Sequence, residues 1–163
     1  MHAFRAFWQA GFASVALFAL SAASFAQDGS PLSLMAGSWS GSGTITLSDG
    51  NRERLRCRSN YRPDASGSTM QLSLSCASDS YKFDLSSNVQ YNNGQISGNW
   101  SEASRNAAGT LTGSARGGQV EARAEGQTFA AFINLNTRGN RQNVSIRSPG
   151  STMQEVAISM SRR

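Results

Sequence analysis

The chain is poor in the residue types that most enzymes and metal sites use. His2 is the single histidine among 163 residues, and there are two cysteines and three prolines. Histidine is the commonest general base and a frequent zinc ligand, so its scarcity argues against the usual catalytic triads and against most zinc sites. We therefore expect a protein that is not an enzyme and that has no metal site and no cofactor.

The carboxylates do not compensate for the missing histidines. Asp49 and Asp64 fall in predicted turns, whereas Asp84, Glu121 and Glu125 fall on the outward side of predicted strands. A hydrolase that uses two carboxylates needs them to converge in a cleft. No spacing in the sequence requires such convergence, so we expect no catalytic residue.

The N-terminus has the pattern of an export signal. Arg5 supplies a positive charge, residues 10–23 form an uncharged apolar run, and Ser24-Phe25-Ala26 places small residues at the two positions that determine cleavage. The run is shorter and less apolar than the roughly 20 residues that a membrane helix needs. A cleaved signal peptide is therefore predicted, and a retained anchor is the alternative.

This pattern divides the chain into a signal peptide at residues 1–26, cleaved after Ala26, and one domain at residues 27–163. The mature length is typical of a single domain. We expect a periplasmic or secreted protein with no stable membrane span after cleavage.

Apolar and polar residues alternate along most of the chain from Trp39 onward. Over residues 70–75, for example, Met, Leu and Leu alternate with Gln, Ser and Ser. A period of two residues is typical of a strand with one buried face. The pattern predicts strands near 38–47, 52–61, 69–77, 80–91, 95–102, 108–115, 119–125, 127–137, 141–148 and 155–162.

Short turns rich in Gly, Asn and Asp separate these strands, which favours hairpins between neighbours. The predicted fold is all-β: an antiparallel up-and-down meander that closes into a barrel of about 8–10 strands, because closure removes exposed edges. Before the first strand, Ser30-Pro31 and Gly37 predict a short helical turn that Ser30 caps and that plugs or flanks the sheet.

Cys57 and Cys76 fall on the apolar side of two neighbouring strands. A hairpin turn centred on Ser66-Gly67 places them opposite each other, and export places them in an oxidising compartment. We therefore predict a disulfide bond. A catalytic or metal-binding pair is the weaker alternative, because the sequence has no CxxC spacing.

Two short motifs resemble those of calycins. Gly37-Ser38-Trp39, after the helical turn, looks like the Gly-x-Trp start of lipocalins, and residues 93–101 (NGQISGNWS) resemble the hairpins of avidin-type barrels. This resemblance implies a calycin-like barrel. It implies no particular ligand, because the lipocalin Thr-Asp-Tyr element and a set of biotin contacts are missing.

Most of the mature chain, especially residues 56–88, is also similar to exported proteins of rhizobia-like Gram-negative bacteria. These proteins have no assigned activity. The resemblance therefore implies export and a shared fold, but no function.

Five aromatic residues share the inward side of the strands: Trp39, Tyr81, Phe83, Tyr91 and Trp100. With the small inward Gly and Ala residues, they are candidates to line a pocket for a small apolar or lipid-like ligand or an envelope component. The alternative is that the rings fill the core. Because the rings face inward, we expect no nucleic-acid binding.

Arg52, Arg54, Arg56 and Arg58 alternate along one predicted strand and share its outward face. The guanidinium group pairs well with carboxylate, sulfate and phosphate, so these residues are a candidate anion-binding set for an anionic polymer. The alternative is an ordinary solvated face, screened by water and by nearby acidic residues such as Glu53.

Phe132 interrupts the alternation, because it falls on the outward side of its strand. Either residues 32–35 cover it or it contacts a protein partner or a second copy of the chain. A protein-interaction module, similar to a barrel-shaped protease inhibitor, is therefore an alternative to ligand binding in the interior.

Overall fold

Ten antiparallel strands form a closed barrel in the computed structural model, which describes residues 29–128 and 130–163. The strands are β1 (Gly37–Leu47), β2 (Arg52–Pro63), β3 (Thr69–Ala77), β4 (Lys82–Asn92), β5 (Gln95–Glu102), β6 (Ala107–Arg116), β7 (Gln119–Gly126), β8 (Ala130–Arg138), β9 (Arg141–Arg147) and β10 (Met153–Arg162). Each strand pairs with the next, and β10 pairs with β1. The predicted all-β meander and its closure are confirmed.

The predicted signal peptide at residues 1–26 lies outside the described residues. Within the described ranges, no helix has the length and apolar character needed to cross a membrane.

The strands form where the sequence alternates, because alternate side chains point to opposite faces of a sheet. In β3, for instance, Met70, Leu74 and Cys76 are buried, whereas the residues between them are mostly exposed. Several strand boundaries differ from the prediction by one to three residues, among them the starts of β4 and β8, and for β10 the structure shows a physical reason. A register shift in β1 between Thr46 and Leu47 pairs Leu47 with Met153, so β10 begins two residues earlier than predicted.

The predicted helical turn is a short 3-10 helix at Ser33–Met35. We call residues 30–36 the plug, because Leu32 and Met35 insert among the core side chains and are each only 1% exposed. Leu32 occupies the cap position of the 3-10 helix itself, with no side-chain cap. Ser30 caps the turn that precedes this helix, because its Oγ accepts a hydrogen bond from the Leu32 backbone nitrogen at 3.3 Å. The Ser30 hydroxyl also donates to the carbonyl oxygen of Gly67 and thereby attaches the plug to the β2–β3 turn.

Inward glycines permit the tight coiling of the barrel. A Cβ atom at Gly109 would lie 1.7 Å from the carbonyl oxygen of Glu125, and one at Gly113 would lie 2.1 Å from that of Glu121. No side chain fits at these positions, because the backbone of β7 approaches β6 too closely. These glycines therefore shape the strands rather than create empty space.

Candidate functional site

The two halves of the barrel interior are packed differently. On the side of β1, β2 and β10, Ile45, Leu55 and Val156 are at most 1% exposed, which indicates a filled core. The other half, between β3 and β8, contains an apolar cavity of about 90 Å³. The plug and Tyr61 of β2 also contribute to its wall.

Small side chains of β7 face the cavity. Ala122 and Ala124 alternate on the inward face of this strand. Larger aliphatic side chains, among them Leu72, Leu85 and Ile133, form the surrounding wall. Leu72, Leu85, Ala122 and Ile133 are only half-buried although they face inward, so the cavity is accessible to solvent.

The polar groups in the cavity wall already have hydrogen-bond partners. The Ser87 hydroxyl donates to the carbonyl oxygen of Asn99 at 2.9 Å, and the Tyr61 hydroxyl donates to Oε1 of Gln142 at 2.8 Å. Burial raises the pKa of Tyr61 to about 12, although hydrogen bonds with Ser59 and Gln142 oppose the shift. The wall therefore presents apolar surface and no charged side chain to the cavity.

The cavity is small. The cavity of about 90 Å³ is smaller than the engineered cavity of about 150 Å³ that accommodates benzene in another protein. It fits a narrow apolar group, such as the end of an aliphatic chain, without rearrangement of the wall.

Trp100 is the member of the predicted aromatic set that lines the cavity. Its indole nitrogen donates to the carbonyl oxygen of Thr110 at 3.1 Å. Trp39 lies beside the plug, whereas Phe83 is buried in the core and Tyr81 and Tyr91 pack against it half-buried. The structure thus does not bring the five rings together around the cavity, and their ligand-lining role stays a prediction.

The aliphatic residues of the wall were missed by the sequence analysis, which looked for aromatic rings. Leu72, Leu85 and Ile133 have the same inward phase as every other core residue. The available signal was the pair of small inward residues at Ala122 and Ala124. It could have located the open half of the barrel but not its volume.

The predicted disulfide bond is confirmed. Cys57 and Cys76 are direct partners in the β2–β3 register, and their sulfurs are 2.05 Å apart. The predicted turn around Ser66-Gly67 connects the two strands, and Gly67 has a φ of +69°, which favours glycine.

Phe132 faces outward and is 49% exposed. The plug does not cover it, because the plug enters the barrel instead of lying on its outer surface. The Arg123 guanidinium lies 5.1 Å from the centre of the Phe132 ring and shields one face. The predicted contact with a protein partner or a second copy stays a prediction.

Glu102 is a buried carboxylate that the sequence analysis did not identify. It faces inward at the end of β5, and it accepts hydrogen bonds from the backbone nitrogens of Asp84 and Arg105, both at 2.9 Å. The Ser104 hydroxyl also donates to it, at 2.6 Å. Burial alone would raise the pKa of Glu102, but these donors outweigh burial and hold the pKa below its ordinary value of 4.5.

Replacement of Glu102 by Gln is expected to lower the free energy of unfolding by about 2 kcal/mol at neutral pH, because charged acceptors form the stronger hydrogen bonds. Since folding lowers the pKa, the ionised group stabilises the protein above the unfolded-state pKa. That stability is lost as the pH falls through the folded-state pKa. Urea unfolding at pH 7 and pH 3 should therefore show a smaller difference in unfolding free energy between wild type and variant at pH 3.

The exposed Glu121→Gln variant is the control. Equal losses of unfolding free energy in both variants at pH 7 would contradict this role for Glu102.

The barrel resembles two solved structures. The crystal structure of Rv2717c from M. tuberculosis matches with a TM-score of 0.65 and 12% identity, over 81% of this chain and 94% of that chain. The S-type phycobiliprotein lyase CPES from Guillardia theta matches with a TM-score of 0.57 and 11% identity, over 81% of this chain and 90% of that chain. No protein-family model matches the sequence, and no curated protein matches it.

At these identities the likeness shows the fold, and it supports the predicted calycin-like barrel. Membership in a family of exported proteins of rhizobia-like bacteria stays a prediction.

The expectation that the protein is not an enzyme is wrong as a conclusion from the sequence. A protein with a similar barrel, CPES, bears the name of a lyase. The barrel fold therefore does not exclude catalysis. Because that protein is only 11% identical, its likeness does not establish catalysis either.

Proposed function

We propose that the protein binds a small apolar or lipid-like ligand inside the barrel. The observation that carries this proposal is the solvent-accessible apolar cavity of about 90 Å³ between β3 and β8. A ligand that enters it removes apolar surface from water, at about 25 cal/mol per Å². The fold likeness to other barrels, one of them named a lyase, is compatible with a ligand in the interior.

The cavity wall favours a narrow aliphatic ligand over a polar one. An acceptor group of a ligand would find the protons of the Ser87 and Tyr61 hydroxyls already donated to Asn99 and Gln142, and loss of its water contacts would cost free energy. We infer that a hydrocarbon chain end enters the cavity while any polar head of the ligand stays in solvent.

We further propose that binding takes place outside the cytoplasm, where a component of the cell envelope is an available ligand. The signal-like sequence over residues 1–26 supports this location. The disulfide between Cys57 and Cys76 supports it as well, because such bonds persist in oxidising compartments.

A series of n-alkanols of increasing chain length tests the proposed ligand class, with intrinsic tryptophan fluorescence as the readout because Trp100 lies in the wall. Each added methylene contributes about 0.8 kcal/mol when buried, which is roughly a fourfold gain in affinity. The affinity should rise with chain length and then level off when the cavity is full. An affinity that rises without a plateau would indicate unspecific surface binding and contradict the proposal.

Ala122→Leu should block the cavity, because Ala122 is half-buried in its wall. We expect alkanol affinity to fall at least tenfold in this variant. Ala108→Leu makes the same change at an exposed, outward position of β6 and should leave the affinity unchanged. Equal affinities of the two variants would show that the alkanols do not bind in the cavity.

A further inference from the structure

The four arginines predicted to bind anions form a continuous row on the outside of the barrel. Arg52, Arg54, Arg56 and Arg58 are all exposed on the outer face of β2. Alternate residues of a strand are about 6.8 Å apart. These residues, which we call the arginine row, therefore present four guanidinium groups along roughly 20 Å of surface.

No acidic side chain among residues 29–128 and 130–163 forms an ion pair with the arginine row. The ion pairs of this part of the chain involve other cations, namely Lys82, Arg105, Arg123 and Arg147. Glu53, the acidic residue of β2, lies on the opposite side of the strand. Its carboxylate accepts hydrogen bonds from the Ser78 hydroxyl at 2.6 Å and from the Ser80 backbone nitrogen at 3.1 Å. The nearby acidic residue expected to neutralise the row thus serves the β3–β4 loop instead.

A surface of short hydroxyl side chains lies directly beside the arginine row. The β1–β2 register is antiparallel, so the arginines face hydroxyl residues in reverse order: Arg58 pairs with Ser40, Arg56 with Ser42, Arg54 with Thr44 and Arg52 with Thr46. Long arginine side chains next to short hydroxyl side chains create a shallow groove, and Ser42, Thr44, Arg52 and Arg54 line part of it, together with Gly43 and Glu53. The carboxylate of Glu53 is held by Ser78 and Ser80 and is not paired with the arginines. On the far side of β1, the outward residues of β10 opposite Thr44 and Ser42 are also short, at Ala157 and Ser159, whereas Glu155 opposite Thr46 forms an ion pair with Arg147.

We propose that this groove binds an anionic polysaccharide. The arginine row pairs with the carboxylate or sulfate groups of the polymer, because a guanidinium group donates two parallel hydrogen bonds to such groups. The hydroxyl side chains of β1 form hydrogen bonds with the sugar rings. The site lies outside the barrel and does not depend on the proposed ligand in the cavity.

The surroundings of the row favour a polysaccharide over a lipid surface or a nucleic acid. Among the described residues, the large exposed apolar side chains are Leu34 and Phe132. Leu34 belongs to the plug, and Phe132 on β8 is four strands away from β2, at about 4.8 Å per strand. The groove therefore presents neither apolar side chains that insert into a bilayer nor aromatic rings on which bases stack.

The test measures binding of the mature protein to polygalacturonate, with dextran as the uncharged polysaccharide. A variant with serine at all four positions of the arginine row should bind polygalacturonate at least tenfold more weakly than wild type. The control variant loses the same number of positive charges elsewhere on the surface, by Ser replacement of Arg116, Arg123, Arg138 and Arg141. It should bind within about twofold of wild type, because screening limits distant charges. Wild type should not bind dextran, and its polygalacturonate affinity should fall steeply with added salt.

Several results would overturn the proposal. Equal loss in the two variants would show that binding depends on net charge alone. Equally tight binding to phosphatidylglycerol vesicles and to polygalacturonate would assign the arginine row to a lipid surface. Equally tight binding to polyglutamate would assign it to an acidic protein. If the fourfold variant does not fold, Arg54→Ser and Arg56→Ser should each weaken binding about threefold, and unchanged affinity in both would equally overturn the proposal.

Discussion

Replacement of Trp39 by Ala is expected to lower the free energy of unfolding by about 3–5 kcal/mol, the usual cost of truncating a buried aromatic side chain. Trp39 is 1% exposed and connects the plug to the barrel. Its indole nitrogen donates to the carbonyl oxygen of Met35 at 2.9 Å, and the Arg162 guanidinium lies 4.6 Å from its ring centre. Removal of the ring therefore leaves a cavity, a buried carbonyl without its donor and a cation without its aromatic partner.

Urea unfolding followed by far-UV circular dichroism measures this effect without a tryptophan signal. Trp39→Phe is the matched control: it keeps an aromatic ring and loses the hydrogen bond to Met35, so we expect a smaller loss of about 1–3 kcal/mol. A loss below about 1 kcal/mol for Trp39→Ala would show that the plug is held in place without this side chain.

The Trp39→Ala variant also bears on ligand binding. Leu32 and Met35 of the plug form part of the cavity wall. A loosened plug should therefore weaken alkanol binding and abolish the plateau with chain length. Unchanged binding in a destabilised Trp39→Ala protein would show that the plug does not define the cavity.

Removal of the disulfide, by Ala at both Cys57 and Cys76, should lower the free energy of unfolding by about 3 kcal/mol. The bond connects residues 19 positions apart and so restricts the unfolded chain. Alanine is the suitable replacement, because both cysteines are buried and a serine hydroxyl there would need a partner.

A reducing agent provides an independent measurement of the same bond. Wild type should show a lower urea midpoint when a reductant is present during unfolding, whereas the double Ala variant should show the same midpoint with and without it. If wild type has the same urea midpoint with and without the reductant, the disulfide does not stabilise the protein. Because Cys57 lies between Arg56 and Arg58 on β2, loss of the bond should also weaken polygalacturonate binding by loosening the arginine row.

The alternation of the sequence predicted the strands and the disulfide correctly for one reason. A period of two is a local property of the chain, and burial of one face then sets the register of each hairpin. The paired positions of Cys57 and Cys76 follow from that register, as does the shared outward face of the arginine row. Glu102 was missed because its hydrogen bonds come from β4 and from the turn after β5.

The sequence alone determined the up-and-down order of the strands, which side of each strand faces inward and which cysteines pair, because these depend on neighbours along the chain or on adjacent strands. The barrel of about 8–10 strands that it predicted has ten in the structure. Only the tertiary structure decided where the interior is filled and where it is open. That division depends on how side chains from opposite strands fill a shared volume, as the contrast between Leu55 in the filled half and Ala122 in the cavity wall shows. The tertiary structure also decided that the plug lies inside the barrel and not over Phe132. The closed barrel has an apolar end, and Leu32 and Met35 fill it.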